Sequence, residues 1–87
     1  MRLLVSGRVQ GVAFRAFTQQ QAVDLNLNGW VRNLPNGNVE AEVEGAQAVV
    51  DLFLTTLRQG PPLAHVEQVQ TTRISVKNEV EEFHIIR

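Results

Sequence analysis

Residues 7 to 15, Gly7-Arg8-Val9-Gln10-Gly11-Val12-Ala13-Phe14-Arg15, set two glycines and an arginine where an extended segment gives way to a helical one. That combination can hold an anion. The first N–H groups of a helix lack intrahelical partners and sit at the positive end of its dipole, and glycine lets the preceding backbone curl until successive amides converge. Arg15 adds a planar fork of donors that fits two oxygens of a phosphate group. The candidate anion ligands are therefore Gln10, Gly11, Val12, Ala13, Phe14 and Arg15. A plain glycine turn with a solvated arginine has the same spelling, and the segment matches neither the GxxxxGK[ST] phosphate loop nor the GxGxxG dinucleotide pattern. Asn33, just ahead of Pro35-Asn36-Gly37, is a second candidate. Its amide carries one acceptor and two donors and can hold a water, although an asparagine at a hairpin entry also serves to cap its own backbone.

Other reactive residue types are sparse. The 87 residues contain no cysteine, which removes disulfides, thiolate metal sites and thiol nucleophiles and fits a reducing, cytoplasmic compartment. His65 and His84 are isolated from the glycine segment and from each other, so no metal site is expected and no cofactor. Glu40, Glu42 and Glu44 alternate along one strand and read as a solvated face. Arg8 and Arg32 read as surface charges, and Trp30 as a core residue. Eight basic against nine acidic residues give a net charge of −1 without basic clusters, which argues against a nucleic-acid partner. No apolar run approaches the about 20 residues of a membrane span or the core of a leader peptide, so no membrane association is expected.

The elements that must position Arg15 and Asn33 follow from periodicity. Leu3, Val5 and Val9 share one parity, making residues 2 to 9 a strand. Residues 12 to 26 put Phe14, Phe17, Ala22 and Leu25 on one helical stripe, and Asn26 can end it in the left-handed conformation. Trp30, Val31 and Leu34 suggest a second strand, and Val39, Ala41 and Val43 a third, with Asn36-Gly37 predicting a type I′ hairpin turn between them. Residues 46 to 59 carry Ala46, Val49, Val50, Phe53, Leu54 and Leu57 at helical spacing, closed by Gly60. Residues 64 to 76 and 82 to 87 read as extended, with Val66 and Val69 out of parity, the mark of a bulge. The order is βαββαβ with a short further strand near Phe83 and Ile85, a split β-α-β arrangement in one domain spanning residues 1 to 87. Right-handed crossovers make strands 1 and 2 parallel with strand 3 antiparallel between them, which brings residues 9 to 15 and Asn33 to one sheet edge.

Three strings, GRVQGVAFR from Gly7, GWVRNLPNGNVEAEVEG from Gly29 and GPPLAHV from Gly60, together with Ala22, Leu25 and Leu27, closely resemble the acylphosphatase family. Members of that family hydrolyse carboxylic–phosphoric mixed anhydrides. The resemblance implies a ferredoxin-like α+β sandwich with two helices on one face of a mainly antiparallel sheet. It also implies metal-independent hydrolysis of small acyl phosphates by direct attack of water, with Arg15 binding the phosphoryl group and Asn33 orienting the water. Inorganic phosphate or sulfate is then the expected product-like ligand, and a free-standing monomer the expected form. Ala13 and Asn26 depart from the family pattern, where a bulkier residue and a glycine are more usual. Two other readings share the fold: a catalytically idle anion-binding or ligand-binding module, and an RNA-recognition sheet. The second sits badly with three glutamates on strand 3 and no tyrosine.

Overall fold

The computed structural model describes residues 1–75 and 82–86. Its elements are β1 (Arg2–Arg8), α1 (Phe14–Asp24), β2 (Asn28–Asn33), β3 (Val39–Glu44), α2 (Gln47–Gln59), β4 (His65–Thr72) and β5 (His84–Ile85). Of the predicted extended segments, 64–76 and 82–87, residues 76 and 87 lie outside the described residues, and β4 ends at Thr72. The five strands form one sheet in the order β4-β1-β3-β2-β5, antiparallel throughout except for β2 with β5. Strands β1 and β2 are thus parallel with β3 between them, as the split topology requires.

Alternation along the central strands builds the core. Leu3 and Val5 on β1, Val31 on β2, and Val39, Ala41 and Val43 on β3 turn to one face and are buried. Against them α2 lays Val50, Phe53, Leu54 and Leu57, and α1 lays Phe14, Thr18 and Ala22. Thr18, absent from the expected stripe, is buried because its hydroxyl donates to the Phe14 carbonyl at 2.9 Å and so satisfies itself within the helix. Phe83 closes the far end of this core, edge-on to Phe53.

Local chemistry explains the boundaries. Asn26 is left-handed (φ 56°), and the bonds from Leu27 N to Ala22 O and from Asn26 N to Val23 O complete a Schellman stop. The parity break in β4 is a bulge: Ser6 pairs with Gln68 but Gly7 with Val66, leaving Glu67 unmatched. Gly7 is required there, because a Cβ on it would overlap the His65 carbonyl oxygen and strike the Glu67 amide.

Three expectations need correction. The β2–β3 connection is a hairpin, but not through a type I′ turn, for Asn36 does not adopt positive φ. Gly37 N donates to Leu34 O at 3.2 Å and Leu34 N to Asn38 O at 2.8 Å, with Gly37 at φ 95°, a type I turn followed by a left-handed glycine. Pro35 decides this by fixing its own φ negative at the first turn position. Trp30 is not core; it stands half-buried on the face away from the helices, with the Arg32 guanidinium 5.4 Å from its ring centroid. Glu40, on that same face, is not solvated. It is 4% exposed, held from both sides by Arg2 and Arg32.

Candidate active site

The parallel run of β1 and β2 delivers their C-terminal ends to one edge, and the chain leaving β1 curls there before α1 begins. Gly11 (φ 73°) and Ala13 (φ 60°) are left-handed while Val12 between them is not. Alternating hand at successive residues turns consecutive amides toward a common point, the arrangement of an anion nest. It also delays the helix, which starts at Phe14 instead of residue 12. Ala13 is the N-cap of α1 and makes no side-chain cap, and the first turn holds no acidic residue. Alanine in this region is strained by about 1 kcal/mol, since its Cβ approaches the following carbonyl. An unrelieved strain beside uncapped helix amides points to a loop shaped for a ligand.

Arg15 stands in that first turn, half-buried. A cation near the positive end of a helix dipole is unfavourable on its own. Among the described residues no carboxylate pairs with it, whereas Arg2 and Arg32 both pair with Glu40. An anion bound against the loop satisfies the guanidinium and the uncapped amides together.

Val9, Gln10, Gly11, Ala13, Phe14, Arg15, Ala16, Asn33 and Ile85 line a single open depression of about 230 Å³. The juxtaposition of the glycine loop with Asn33 was expected from topology. The contribution of Ile85 was not, because the sequence marks a short strand near Phe83 and Ile85 but not that it pairs beside β2. Val12 does not line the depression; its side chain is buried in the core, 8% exposed. The Asn33 Oδ1 atom is buried and, among the described residues, has no hydrogen-bond partner. A buried acceptor left without a donor costs about 1–3 kcal/mol, which an O–H or N–H donor reaching the depression would relieve.

The Gln10 backbone belongs to the loop, while its side chain turns to the β2–β3 hairpin. Its Nε2 donates to the Leu34 carbonyl at 2.8 Å and to the Asn38 carbonyl at 2.9 Å, across to the β2–β3 hairpin. His65 and His84 are exposed strand residues away from the depression. Among the described residues no three His, Asp or Glu side chains come together as a metal-binding group.

On the far face of the sheet, Arg2 Nε donates to Glu40 Oε2 and Arg32 Nε to Oε1, each at 2.7 Å. Burial alone would raise the Glu40 pKa. The hydrogen bonds and charges of Arg2 and Arg32 outweigh it and hold the carboxyl below its ordinary value.

In this small α+β sandwich one depression gathers Arg15, the loop with left-handed Gly11 and Ala13, and the buried Asn33 Oδ1, the last without a hydrogen-bond partner among the described residues, an arrangement suited to binding an anion. The chain belongs to the acylphosphatase family, whose model, described as "Acylphosphatase", matches residues 1–85. A curated acylphosphatase of Methylococcus capsulatus (strain Bath) is 46% identical over 87 residues, covering 100% of this chain and 95% of that one. The crystal structure of the acylphosphatase from Bacillus subtilis superposes with a TM-score of 0.95 at 35% identity, covering 99% of this chain and 96% of that one. The fold also matches part of a much longer protein, full-length HypF in its phosphate- and nucleotide-bound form, with a TM-score of 0.83 at 29% identity, over 99% of this chain but 11% of that one. The protein is an acylphosphatase, a hydrolase of the carboxyl–phosphate bond.

Proposed function

We propose that this acylphosphatase works without a metal, by in-line attack of a water held by Asn33 on a phosphoryl group held by Arg15 and the amides of the loop from Gln10 to Arg15. The observation that carries this reading is a buried Asn33 Oδ1 in the same depression as Arg15, neither of which has a partner among the described residues. The leaving group is a carboxylate, whose conjugate acid has a pKa of roughly 4, so it departs without a proton and no general acid is needed. In a loose transition state charge spreads over the equatorial phosphoryl oxygens, where a bidentate guanidinium and converging N–H groups stabilise it.

The proton balance also dispenses with a protein base. An acyl phosphate dianion and water give a carboxylate and dihydrogen phosphate, the water's second proton passing to a phosphoryl oxygen. Asn33 accepts one O–H of the water and aims its lone pair at phosphorus; an amide oxygen orients but takes no proton. Ile85, Ala16 and Ala13 form an apolar rim, and recognition rests on the phosphoryl end. Inorganic phosphate and sulfate are therefore ligands of the same cradle.

We place residues 1 to 87 in one cytoplasmic, monomeric domain. The absence of cysteine supports the compartment, and the large exposed apolar side chains among the described residues, Val23 on α1, Leu52 on α2 and Leu63 ahead of β4, fall on three different segments, which supports the monomer.

Steady-state hydrolysis of a simple acyl phosphate, with and without EDTA and with phosphate titrated at several substrate concentrations, tests the mechanism. The expected result is a rate unchanged by chelation and competitive inhibition by phosphate. Activity lost to EDTA and restored by added metal would overturn it, and purely noncompetitive phosphate inhibition would separate the anion site from the reaction site.

A further inference from the structure

We infer that the Gln10 side chain is a strut that fixes the distance between the phosphoryl cradle and the water-orienting Asn33, and is not itself a phosphate ligand. Its amide has two donor hydrogens, and both are committed, at 2.8 Å to Leu34 O and at 2.9 Å to Asn38 O. What remains is the acceptor Oε1, which a phosphate dianion repels. The side chain therefore has nothing to offer the substrate directly.

What it joins gives it a role. Gln10 directly precedes Gly11 of the nest, and Leu34 directly follows Asn33. The two accepting carbonyls are those that close the hairpin, each already taking one backbone N–H, from Gly37 and from Leu34. Gln10 fills the second lone pair of both. The sheet makes no such connection: β3 lies between β1 and β2, so no ladder bond joins the end of β1 to the end of β2. Among the described residues, Gln10 makes the only side-chain hydrogen bonds from residues 9–16 to residues 33–38. The separation of phosphorus from the attacking water, which an in-line displacement needs held near 3–3.5 Å, passes through this side chain.

The inference rests on the proposed role of Asn33, and its test separates the two. Gln10→Met keeps the length and removes both donors. Misplacement by about 1 Å costs on the order of a hundredfold in rate, so kcat should fall ten- to a hundredfold while the inhibition constant for inorganic phosphate stays within about threefold. In an Asn33→Ala background the same substitution should add little, because the strut then has nothing to align. In ¹⁵N-labelled wild-type protein the Gln10 side-chain amide protons should exchange slowly and stay in place as phosphate is added, while backbone amides of residues 11 to 15 shift. This arm does not depend on the variant folding. Phosphate binding weakened in Gln10→Met in step with kcat, unchanged kinetics in that variant, or Gln10 side-chain resonances that move with the loop amides would each overturn the strut. Full activity in Asn33→Ala alone would instead overturn the role given to Asn33, leaving the hydrogen-bond result to stand by itself.

Discussion

Arg32 and Asn33 are neighbours on β2 and face opposite sides of the sheet, and the two sides treat polar groups differently. On the outer face Arg32 shares the Glu40 carboxylate with Arg2, and its donors and acceptors meet. On the inner edge the Asn33 Oδ1 atom has no partner, Arg15 has no carboxylate among the described residues, and Ala13 is held left-handed. Both regions use arginine, and the same residue type does different work in each. Where charge is matched inside the protein it holds neighbouring strands together; where no partner is found among the described residues it is available to a ligand, as the proposed mechanism uses it.

The comparison breaks most visibly at Arg15. Arg15→Ala should reduce kcat/KM by at least about a hundredfold with no loss of thermal stability, since the charge acts on the transferring phosphoryl group and not on the core. Arg15→Lys should also fail, because a point charge does not reproduce a bidentate fork. Activity within a few-fold of wild type in either variant would move the reaction elsewhere.

Asn33→Ala comes next. It should lower kcat by roughly ten- to a thousandfold while phosphate inhibition changes little, the pattern of a contact made mainly in the transition state. Equal weakening of phosphate binding would make Asn33 a phosphate ligand. Stability should not fall, because the substitution removes an unsatisfied acceptor.

Glu40→Gln sharpens the contrast from the other side. It should cost about 1–2 kcal/mol in urea unfolding, less than a fully buried pair because both arginines reach solvent, and leave kcat/KM unchanged. The wild type should lose stability in acid. The folded-state pKa of Glu40 lies below its unfolded value of about 4.3, so its contribution is complete above that value and fades as pH falls through the folded one. The Gln variant should show a flatter profile below about pH 4; an identical acid profile would mean that other carboxylates govern it.

The smallest effect is expected at Ala13. Ala13→Gly relieves a left-handed alanine, and the gain is partly offset by the greater entropy of glycine in the unfolded chain. A net stabilisation of about 0.5 kcal/mol with activity within twofold is the expected outcome, and a destabilised variant would show that the Ala13 methyl packs usefully.

Periodicity carried the element order, and topology carried the meeting of the glycine loop with Asn33, because both depend on patterns repeated over many residues. The β4 bulge and the stop at Asn26 were legible for a different reason: a parity break and a residue that tolerates positive φ are clear local signals. Single contacts were not legible. Pro35 outvoted the Asn36-Gly37 turn preference, and the strands around Trp30 gave no sign of which face it takes until the register with Glu42 was fixed. Glu40 looked solvated because its two arginines lie 38 and 8 residues away in the chain. Gln10 lines the depression as the position of its loop requires, but its side-chain partners, 24 and 28 residues on, follow from a hairpin shape that no spacing rule supplies.

The place of β1 in the sheet also bears on how the molecule comes into being. It precedes every other strand in the chain, yet it ends up with a neighbour on each side, and Arg2 must find Glu42 on one and Thr72 on the other. During synthesis Leu3 and Val5 emerge with both backbone edges bare, and the second edge stays bare until β4 has been made. Pairing across some 70 residues closes a long loop before any contact repays it, which slows folding. Over that interval the nascent chain presents an apolar strand that could pair with another copy as readily as with its own β4. The same interior position that gives β1 a partner on each side makes the newborn chain dependent on finishing quickly or being shielded meanwhile.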